Sequence, residues 1–115
     1  MHWTAPPHVR GLIFDCDGTL ADTMPAHFLA WQGMLAQYGI PFTEKRFYEL
    51  GGIPTSKIIR ILSEESGVVV KDVERMTFEK ESGFLEHLAA IRPVEPVVRI
   101  AAAYRGKLPI AVASG

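Results

Sequence analysis

Two apolar segments near opposite ends of the sequence constrain its fold more than any other feature. Residues 9–14 and residues 107–115 each have the composition of a buried strand. The helical pattern of residues 94–106 ends at Gly106, just before the second of these segments. A strand that follows a crossover helix is half of a βαβ unit, and such units build parallel sheets. The sequence therefore predicts an α/β fold with a doubly wound parallel sheet, of which only the first two strands are present.

Residues 20–92 separate the first strand from that crossover helix and have a helical pattern of their own. Helices are predicted from Thr23 to Gly39, from Thr43 to Gly51, from Thr55 or Ser56 to about Gly67, and over residues 71–91. We interpret this segment as a helical cap inserted after the first strand. The predicted organisation is a partial α/β core of residues 1–19 and 93–115 and a cap of residues 20–92.

The composition suits a globular protein that binds small molecules. The 115 residues are 48% hydrophobic and 22% charged, and the formal net charge is −1. No block of Lys and Arg is longer than a pair, so the basic footprint of proteins that bind nucleic acid or anionic lipid is missing. One cysteine cannot form an internal disulfide, and no apolar run approaches the length of a membrane span. We therefore expect a cytoplasmic protein with neither a nucleic acid nor a membrane as partner.

Two aspartates follow the first strand in the stretch FDCDG. Because side chains alternate along a strand, Asp15 and Asp17 are expected to project to one side of the sheet. Two carboxylates that close repel each other unless a cation lies between them or one of them keeps a proton. A calcium loop would need acidic residues where Thr19 and Ala26 stand, and an Asp-Gly turn explains only the second aspartate. Ligands of open α/β sheets bind at the carboxyl ends of strands, so the pattern favours an active site.

The stretch FDCDGTLADT resembles the first motif of the haloacid dehalogenase superfamily, whose phosphatases carry D-x-D-G-T at the end of strand one. The resemblance implies that Asp15 is the nucleophile and that Asp17 protonates the leaving oxygen and then activates water. It also implies a Mg²⁺ ion held by Asp15 and by the backbone carbonyl of Asp17. Gly18 would let the backbone approach the phosphate closely, and Thr19 would brace the loop. A second aspartate favours phosphate esters over carbon–halogen bonds, because a departing halide needs no proton.

The last residues, IAVASG, resemble the second motif of the same superfamily, an apolar strand that ends in Ser or Thr. The resemblance implies that Ser114, followed by Gly115, binds a phosphoryl oxygen. The alternative is an ordinary turn at the end of a strand. In a βαβ frame the serine falls beside Asp15, which favours the phosphate site.

The inserted segment resembles the helical cap of the β-phosphoglucomutase-like branch of the superfamily. Mutases of that branch carry an arginine in the cap loop, and Thr55 of the segment LGGIPTSKI stands at that place. The G-x-P-T pattern of this loop is closer to that of fructose-1-phosphate phosphatase-like sugar phosphatases. The resemblance therefore implies that Thr55 and Lys57 contact the substrate. His27 corresponds to a histidine near the cap hinge that contacts the substrate or the acid/base. Lys57 as an exposed helix residue, and His27 as a first-turn residue without a special role, remain alternatives.

Three functions are consistent with these features. The first is a Mg²⁺-dependent phosphatase that hydrolyses a small sugar phosphate through an aspartyl phosphate. The second is a phosphosugar mutase of the β-phosphoglucomutase type, and the third is a non-catalytic binding module of the same fold. Phosphatases of the superfamily also use a lysine and further acidic residues on later strands, which this sequence does not contain. We therefore expect the chain to be the N-terminal part of a longer enzyme and to be inactive alone. The alternatives are that the rest of the core sheet is disordered, cleaved or carried by another chain.

Overall fold

The computed structural model describes residues 3–113. Its elements along the chain are β1 (Leu12–Asp15), β2 (Ala21–Asp22), α1 (Met24–Gln37), α2 (Glu44–Glu49), α3 (Thr55–Ser66), α4 (Val73–Glu86), a 3₁₀ turn (Leu88–Ala90), β3 (Arg92–Pro93), α5 (Glu95–Tyr104) and β4 (Ile110–Ala113). None of the helices in this part of the chain combines the length and apolar character needed to cross a membrane.

β1 and β4 form a parallel pair that runs in register from Leu12 opposite Ile110 to Asp15 opposite Ala113. This pairing and the helix α5 before β4 confirm the predicted α/β fold with a small parallel sheet. The predicted bounds of the first strand, residues 9–14, were wrong. Val9 donates its backbone N–H to the carbonyl of Pro6 at 3.0 Å in a turn, so pairing begins only at Leu12.

A second, very short ribbon pairs β2 with β3 in antiparallel orientation. Ala21 lies opposite Pro93 and Asp22 opposite Arg92, and the Val94 N–H extends the contact to the Leu20 carbonyl at 2.8 Å. The ribbon joins the two ends of the inserted helical segment. The sequence did not predict it, because two residues per strand are too few for an alternating pattern.

The chain divides into two compact units, one of residues Pro25–Ala90 and the other of the segments on either side of it. The unit Pro25–Ala90, called the helical unit below, contains a core cluster contributed by α1, α3, α4 and the turns between the helices: Trp31, Met34, Leu35, Ile40, Leu50, Ile58, Ile59, Leu62 and Met76. Helices with an apolar stripe are stable when that stripe is buried against another, as it is here.

The ends of the helices follow the capping signals of the sequence in part. The cap predicted at Thr55 or Ser56 was wrong, because α3 already begins at Thr55 and its N-cap residue, Pro54, makes no side-chain cap hydrogen bond. Thr43 accepts a hydrogen bond from the Arg46 N–H at 3.1 Å and caps α2, and α3 ends at Gly67 in a left-handed conformation, as predicted. α4 begins later than predicted because Asp72 caps it by accepting from the Arg75 N–H at 3.0 Å. α1 begins directly after Thr23, as predicted, but the buried Oγ1 of Thr23 has no hydrogen-bond partner among residues 3–113 and provides no side-chain cap.

The parallel pair is poorly covered in the described part of the chain. All four residues of β4 are exposed, and Ile13 of β1 is 77% exposed. An apolar pocket of about 280 Å³ lies against this sheet, lined by Trp3, Leu12, Ile13, Phe14 and Ile100. None of the residues proposed for catalysis lines it, so this pocket is an uncovered apolar face of the sheet and a poor candidate for the active site.

Candidate active site

Asp15 is the last residue of β1 and lies at the carboxyl end of the parallel pair, opposite Ala113. Its side chain is exposed, and Oδ1 accepts the backbone N–H of Cys16 at 2.8 Å. The strand ends here because the chain turns at the next residue. A carboxylate at this edge of a parallel sheet is in the usual place for a ligand-binding group of an α/β fold.

The loop that follows is closed by backbone hydrogen bonds. The carbonyl of Cys16 accepts the N–H groups of Thr19, Leu20 and Ala21 at 3.0–3.1 Å, and Gly18 donates to the Ala21 carbonyl at 2.8 Å. Gly18 has a φ of 74°, a left-handed conformation that a residue with a Cβ adopts at a cost. The glycine of the D-x-D-G motif is therefore required by the backbone of this turn.

Asp17 lies inside this loop and not on the strand. The alternation rule applied to the sequence stops at Asp15, where β1 ends, so it does not determine the direction of the Asp17 side chain. Asp17 is exposed, and its backbone forms an isolated bridge with Ala21. Asp17, Gly18 and Thr19 thus share one short loop that begins directly after Asp15, the last residue of β1.

The donor set of this loop fits a magnesium ion, although it does not complete a coordination shell. Two exposed carboxylates and the carbonyls of a tight loop are hard oxygen donors, which Mg²⁺ prefers. Across residues 3–113, no group of three or more His, Cys, Asp or Glu side chains is arranged to hold a metal. Mg²⁺ commonly takes one or two protein carboxylates and completes its shell with water and substrate phosphate.

Ser114 and Gly115, which the sequence predicts to bind phosphate, lie outside the described residues. The residue before them, Ala113, is the last residue of β4 and is in register with Asp15. Their role remains a prediction.

The other predicted substrate residues belong to the helical unit. Lys57 is exposed on the first turn of α3. Thr55 is the first residue of α3, and its Oγ1 donates to Oε1 of Glu81 at 3.2 Å. His27 lies on α1, with Nδ1 3.0 Å from Nζ of Lys80. Within this unit, Lys80 and Glu81 of α4 therefore connect two of the three residues that the sequence singled out.

Sequence reasoning missed both of these α4 residues. Lys80 follows Val73 and Met76 at helical spacing, which places it on the apolar face of α4, and it is buried. A lysine at such a position is a signal that could have been used, because buried charges in proteins are paired. Glu81 is exposed and carries no signal in the sequence, since its contact with Thr55 depends on how α3 packs against α4.

Comparisons with known proteins agree with these features. The sequence matches the family of haloacid dehalogenase-like hydrolases over residues 12–112. It is 33% identical over 106 residues to fructose-1-phosphate phosphatase YqaB of Escherichia coli (strain K12), a match covering 91% of this chain and 55% of that protein. It is 31% identical over 111 residues to a phosphorylated carbohydrates phosphatase of Thermotoga maritima, covering 92% and 50% respectively. The structure of a beta-phosphoglucomutase from Clostridium difficile superimposes with a TM-score of 0.69 at 22% identity, covering 90% of this chain and 50% of that one.

A small parallel sheet with an inserted run of helices, and an aspartate at the carboxyl end of its first strand, is the arrangement of a Rossmann-like α/β fold. The chain belongs to the haloacid dehalogenase-like hydrolase family, as the motif in the sequence predicted. It spans about half the length of the curated relatives that it matches, at 55% and 50% of those two proteins. Those relatives are named as phosphatases of sugar phosphates, and the mutase structure shows only that the fold is shared.

Proposed function

We propose that this chain carries the nucleophile and the acid/base of a Mg²⁺-dependent phosphatase that acts on a small sugar phosphate. The observation that carries the proposal is the position of Asp15 at the carboxyl end of β1, directly before a loop that contains Asp17 and a left-handed Gly18. The similarity to two sugar-phosphate phosphatases supports the substrate class. The neutral composition and the single cysteine support a cytoplasmic location.

In the first step, an oxygen of the Asp15 carboxylate attacks phosphorus and forms a new O–P bond as the bond from phosphorus to the sugar oxygen breaks. Asp17 gives its proton to the leaving sugar oxygen, which departs as a neutral hydroxyl. Gly18 is exposed and has no side chain, so the phosphoryl group can approach the backbone of the loop closely. A Mg²⁺ ion held by Asp15 and Asp17 would offset the negative charge of carboxylate and phosphate.

In the second step, Asp17 takes a proton from water, and the resulting hydroxide attacks phosphorus of the aspartyl phosphate. The bond from phosphorus to Asp15 breaks, inorganic phosphate leaves, and both carboxyl groups return to their initial protonation states. Asp17 therefore acts first as an acid and then as a base.

The test is formation of the aspartyl phosphate, measured on the complete protein by acid quenching after reaction with a radiolabelled sugar phosphate. Asp15→Asn is expected to abolish labelling and to leave the circular dichroism spectrum unchanged, because the side chain is exposed. Asp22→Asn is the matched control, since Asp22 is an exposed aspartate in β2 outside the loop, and it is expected to label normally. Labelling of Asp15→Asn at the parent level would refute the assignment.

Two other functions give different results in the same preparation. A phosphosugar mutase would require a sugar bisphosphate as activator and would return an isomeric sugar phosphate instead of inorganic phosphate. A non-catalytic binding module would bind a sugar phosphate without Mg²⁺-dependent turnover. Release of inorganic phosphate without an activator is the result that supports the phosphatase.

A further inference from the structure

Four polar side chains of the helical unit form a connected network, called the Thr55–His27 network below. Thr55 Oγ1 donates to Glu81 Oε1 at 3.2 Å, and Lys80 Nζ lies 3.4 Å from the same carboxylate oxygen. Lys80 Nζ also lies 3.0 Å from Nδ1 of His27. The network therefore runs from the first residue of α3, through two consecutive residues of α4, to α1.

The ammonium group of Lys80 is the buried centre of this network. Its side chain is only 5% exposed, and Nζ lies 5.5 Å from the ring centroid of Trp31 and 5.9 Å from that of Phe84. His27 stacks on Phe84 with the ring centroids 4.1 Å apart. The contacts of this buried ammonium group with two aromatic rings, with Glu81 and with His27 restrict its position.

The chemistry of these four side chains limits which of them can donate a hydrogen bond and which can accept one. A lysine ammonium group has donors only, so beside a protonated Lys80 the Nδ1 atom of His27 is the acceptor. A carboxylate has acceptors only, so the Thr55 hydroxyl donates its hydrogen bond to Glu81. Oγ1 of Thr55 then offers lone pairs, and no proton, to any further partner.

We propose that Glu81 is a positioning residue that sets substrate specificity through Thr55. By accepting the hydrogen bond of the Thr55 hydroxyl, Glu81 leaves Thr55 as an acceptor for a sugar hydroxyl group and disfavours donation from Thr55 to a phosphate oxygen. The inference deepens the proposed function and rests on it, because it takes Thr55 to be a substrate contact. It narrows the substrate class to sugar monophosphates that present a hydroxyl group, and not a second phosphate, to Thr55.

The charge of Glu81 acts in the same direction as its hydrogen bonding. Its side chain is 52% exposed, and its second oxygen, Oε2, takes part in none of the hydrogen bonds or ion pairs of the described residues. A second phosphate group near Thr55 would face acceptor lone pairs and a half-exposed negative charge. A hydroxyl group in the same place would donate to Thr55 without penalty.

The test compares kcat/KM for fructose 1-phosphate with kcat/KM for fructose 1,6-bisphosphate, which has a phosphate in place of one hydroxyl. We expect the complete protein to prefer the monophosphate, and Glu81→Ala to reduce that preference by about tenfold, the effect of relieving one mismatched hydrogen bond. Glu86→Ala is the matched control, because Glu86 is an exposed glutamate on α4 outside the network. It is expected to keep the parent preference.

A double-mutant cycle then establishes whether Glu81 acts through Thr55. In a Thr55→Val background, where no hydroxyl proton exists, Glu81→Ala removes only the effect of the charge, so it is expected to change the preference by clearly less than the tenfold change in the parent background. A tenfold change that persists in this background would overturn the proposed route.

The failures of the two proposals are distinguishable. If the parent protein is active but Glu81→Ala keeps the full preference for the monophosphate, the inference about Glu81 is overturned and the phosphatase proposal stands. The proposed function is overturned, and this inference with it, if the parent protein releases phosphate from neither compound. The same holds if the Asp15→Asn variant releases phosphate as fast as the parent. Circular dichroism of each variant verifies that the helical unit is folded.

Discussion

At the scale of single residues, the loop after β1 depends most on Gly18. Its φ of 74° is left-handed, and a Cβ there would meet the Met24 Cε at 3.7 Å, an ordinary contact. The cost of a side chain is therefore conformational and not steric crowding. We expect Gly18→Ala to destabilise the fold by about 1–2 kcal/mol, and to slow aspartyl phosphate formation because the loop must shift.

Gly33 provides the control for this prediction. It lies within α1, its φ is not positive, and a Cβ added there would meet nothing within 4 Å. Gly33→Ala is expected to stabilise the protein by about 0.5–1 kcal/mol and to leave phosphorylation unchanged. Urea unfolding and acid-quench labelling measure both effects. Equal stability and equal phosphorylation of the two variants would show that neither the fold nor the reaction needs the left-handed conformation of Gly18.

Some residues of the candidate active site are marked by local sequence patterns, and others are not. The D-x-D-G pattern locates Asp15 and Gly18 because it lies next to the end of an apolar strand, and both features are local. Glu81 is 26 residues from Thr55, and their contact arises only when α3 and α4 pack. No local pattern marks such a residue, so the positioning side chains could not be predicted.

At the scale of elements, one hydrogen-bonded contact attaches the end of α1 to α4. Tyr38, the residue after α1, donates its hydroxyl to the Glu79 carboxylate at 3.0 Å, and Arg75 donates to the same carboxylate at 3.0 Å. Burial raises the pKa of Tyr38, and its hydrogen bond to Glu79 raises it further. The folded state therefore favours the protonated phenol.

This contact predicts a pH-dependent stability. Because the pKa of Tyr38 is higher in the folded state, the contribution is present below the unfolded-state pKa of about 10 and is lost as the pH rises through the folded-state value. Near neutral pH, Tyr38→Phe is expected to lower the free energy of unfolding by about 1 kcal/mol. Above about pH 10 the difference between parent and variant is expected to shrink.

Urea unfolding monitored by circular dichroism, near neutral pH and again above about pH 10, measures the stability difference between parent and Tyr38→Phe. Tyr48→Phe is the matched control, because Tyr48 is exposed and its hydroxyl is in none of the hydrogen bonds of the described residues. It is expected to match the parent within about 0.5 kcal/mol. A stability difference for Tyr38→Phe that is independent of pH would contradict the assignment.

The helices were predictable as elements because each has several turns of apolar periodicity and, for α2 and α3, terminal residues with a clear capping role. The β2–β3 ribbon was not, since its strands have two residues each and are defined by pairing between Ala21–Asp22 and Arg92–Pro93. The start of β1 was placed three residues early for a related reason. Val9 is as apolar as the strand, but its N–H is used in a turn with Pro6.

At the scale of the whole molecule, burial is concentrated in one of the two units. Except for Phe14 and Thr23, the buried residues of the described chain lie in the helical unit. The parallel pair keeps an apolar face exposed, and the chain spans about half the length of its curated relatives. We therefore expect the stability of these 115 residues to come from the helical unit and not from the sheet.

A pair of isoleucines tests this expectation. Ile59 of α3 is fully buried, whereas Ile13 of β1 is 77% exposed. Ile59→Ala is expected to lower the free energy of unfolding by about 2–5 kcal/mol, because it leaves a cavity in the core, and Ile13→Ala to change it by less than about 0.5 kcal/mol. Hydrogen exchange gives a second readout, with backbone amides of α3 and α4 exchanging more slowly than those of β1 and β4. Similar losses of stability for the two variants would mean that the exposed face of the sheet is covered in solution, and that the sheet contributes to the cooperative core of the chain.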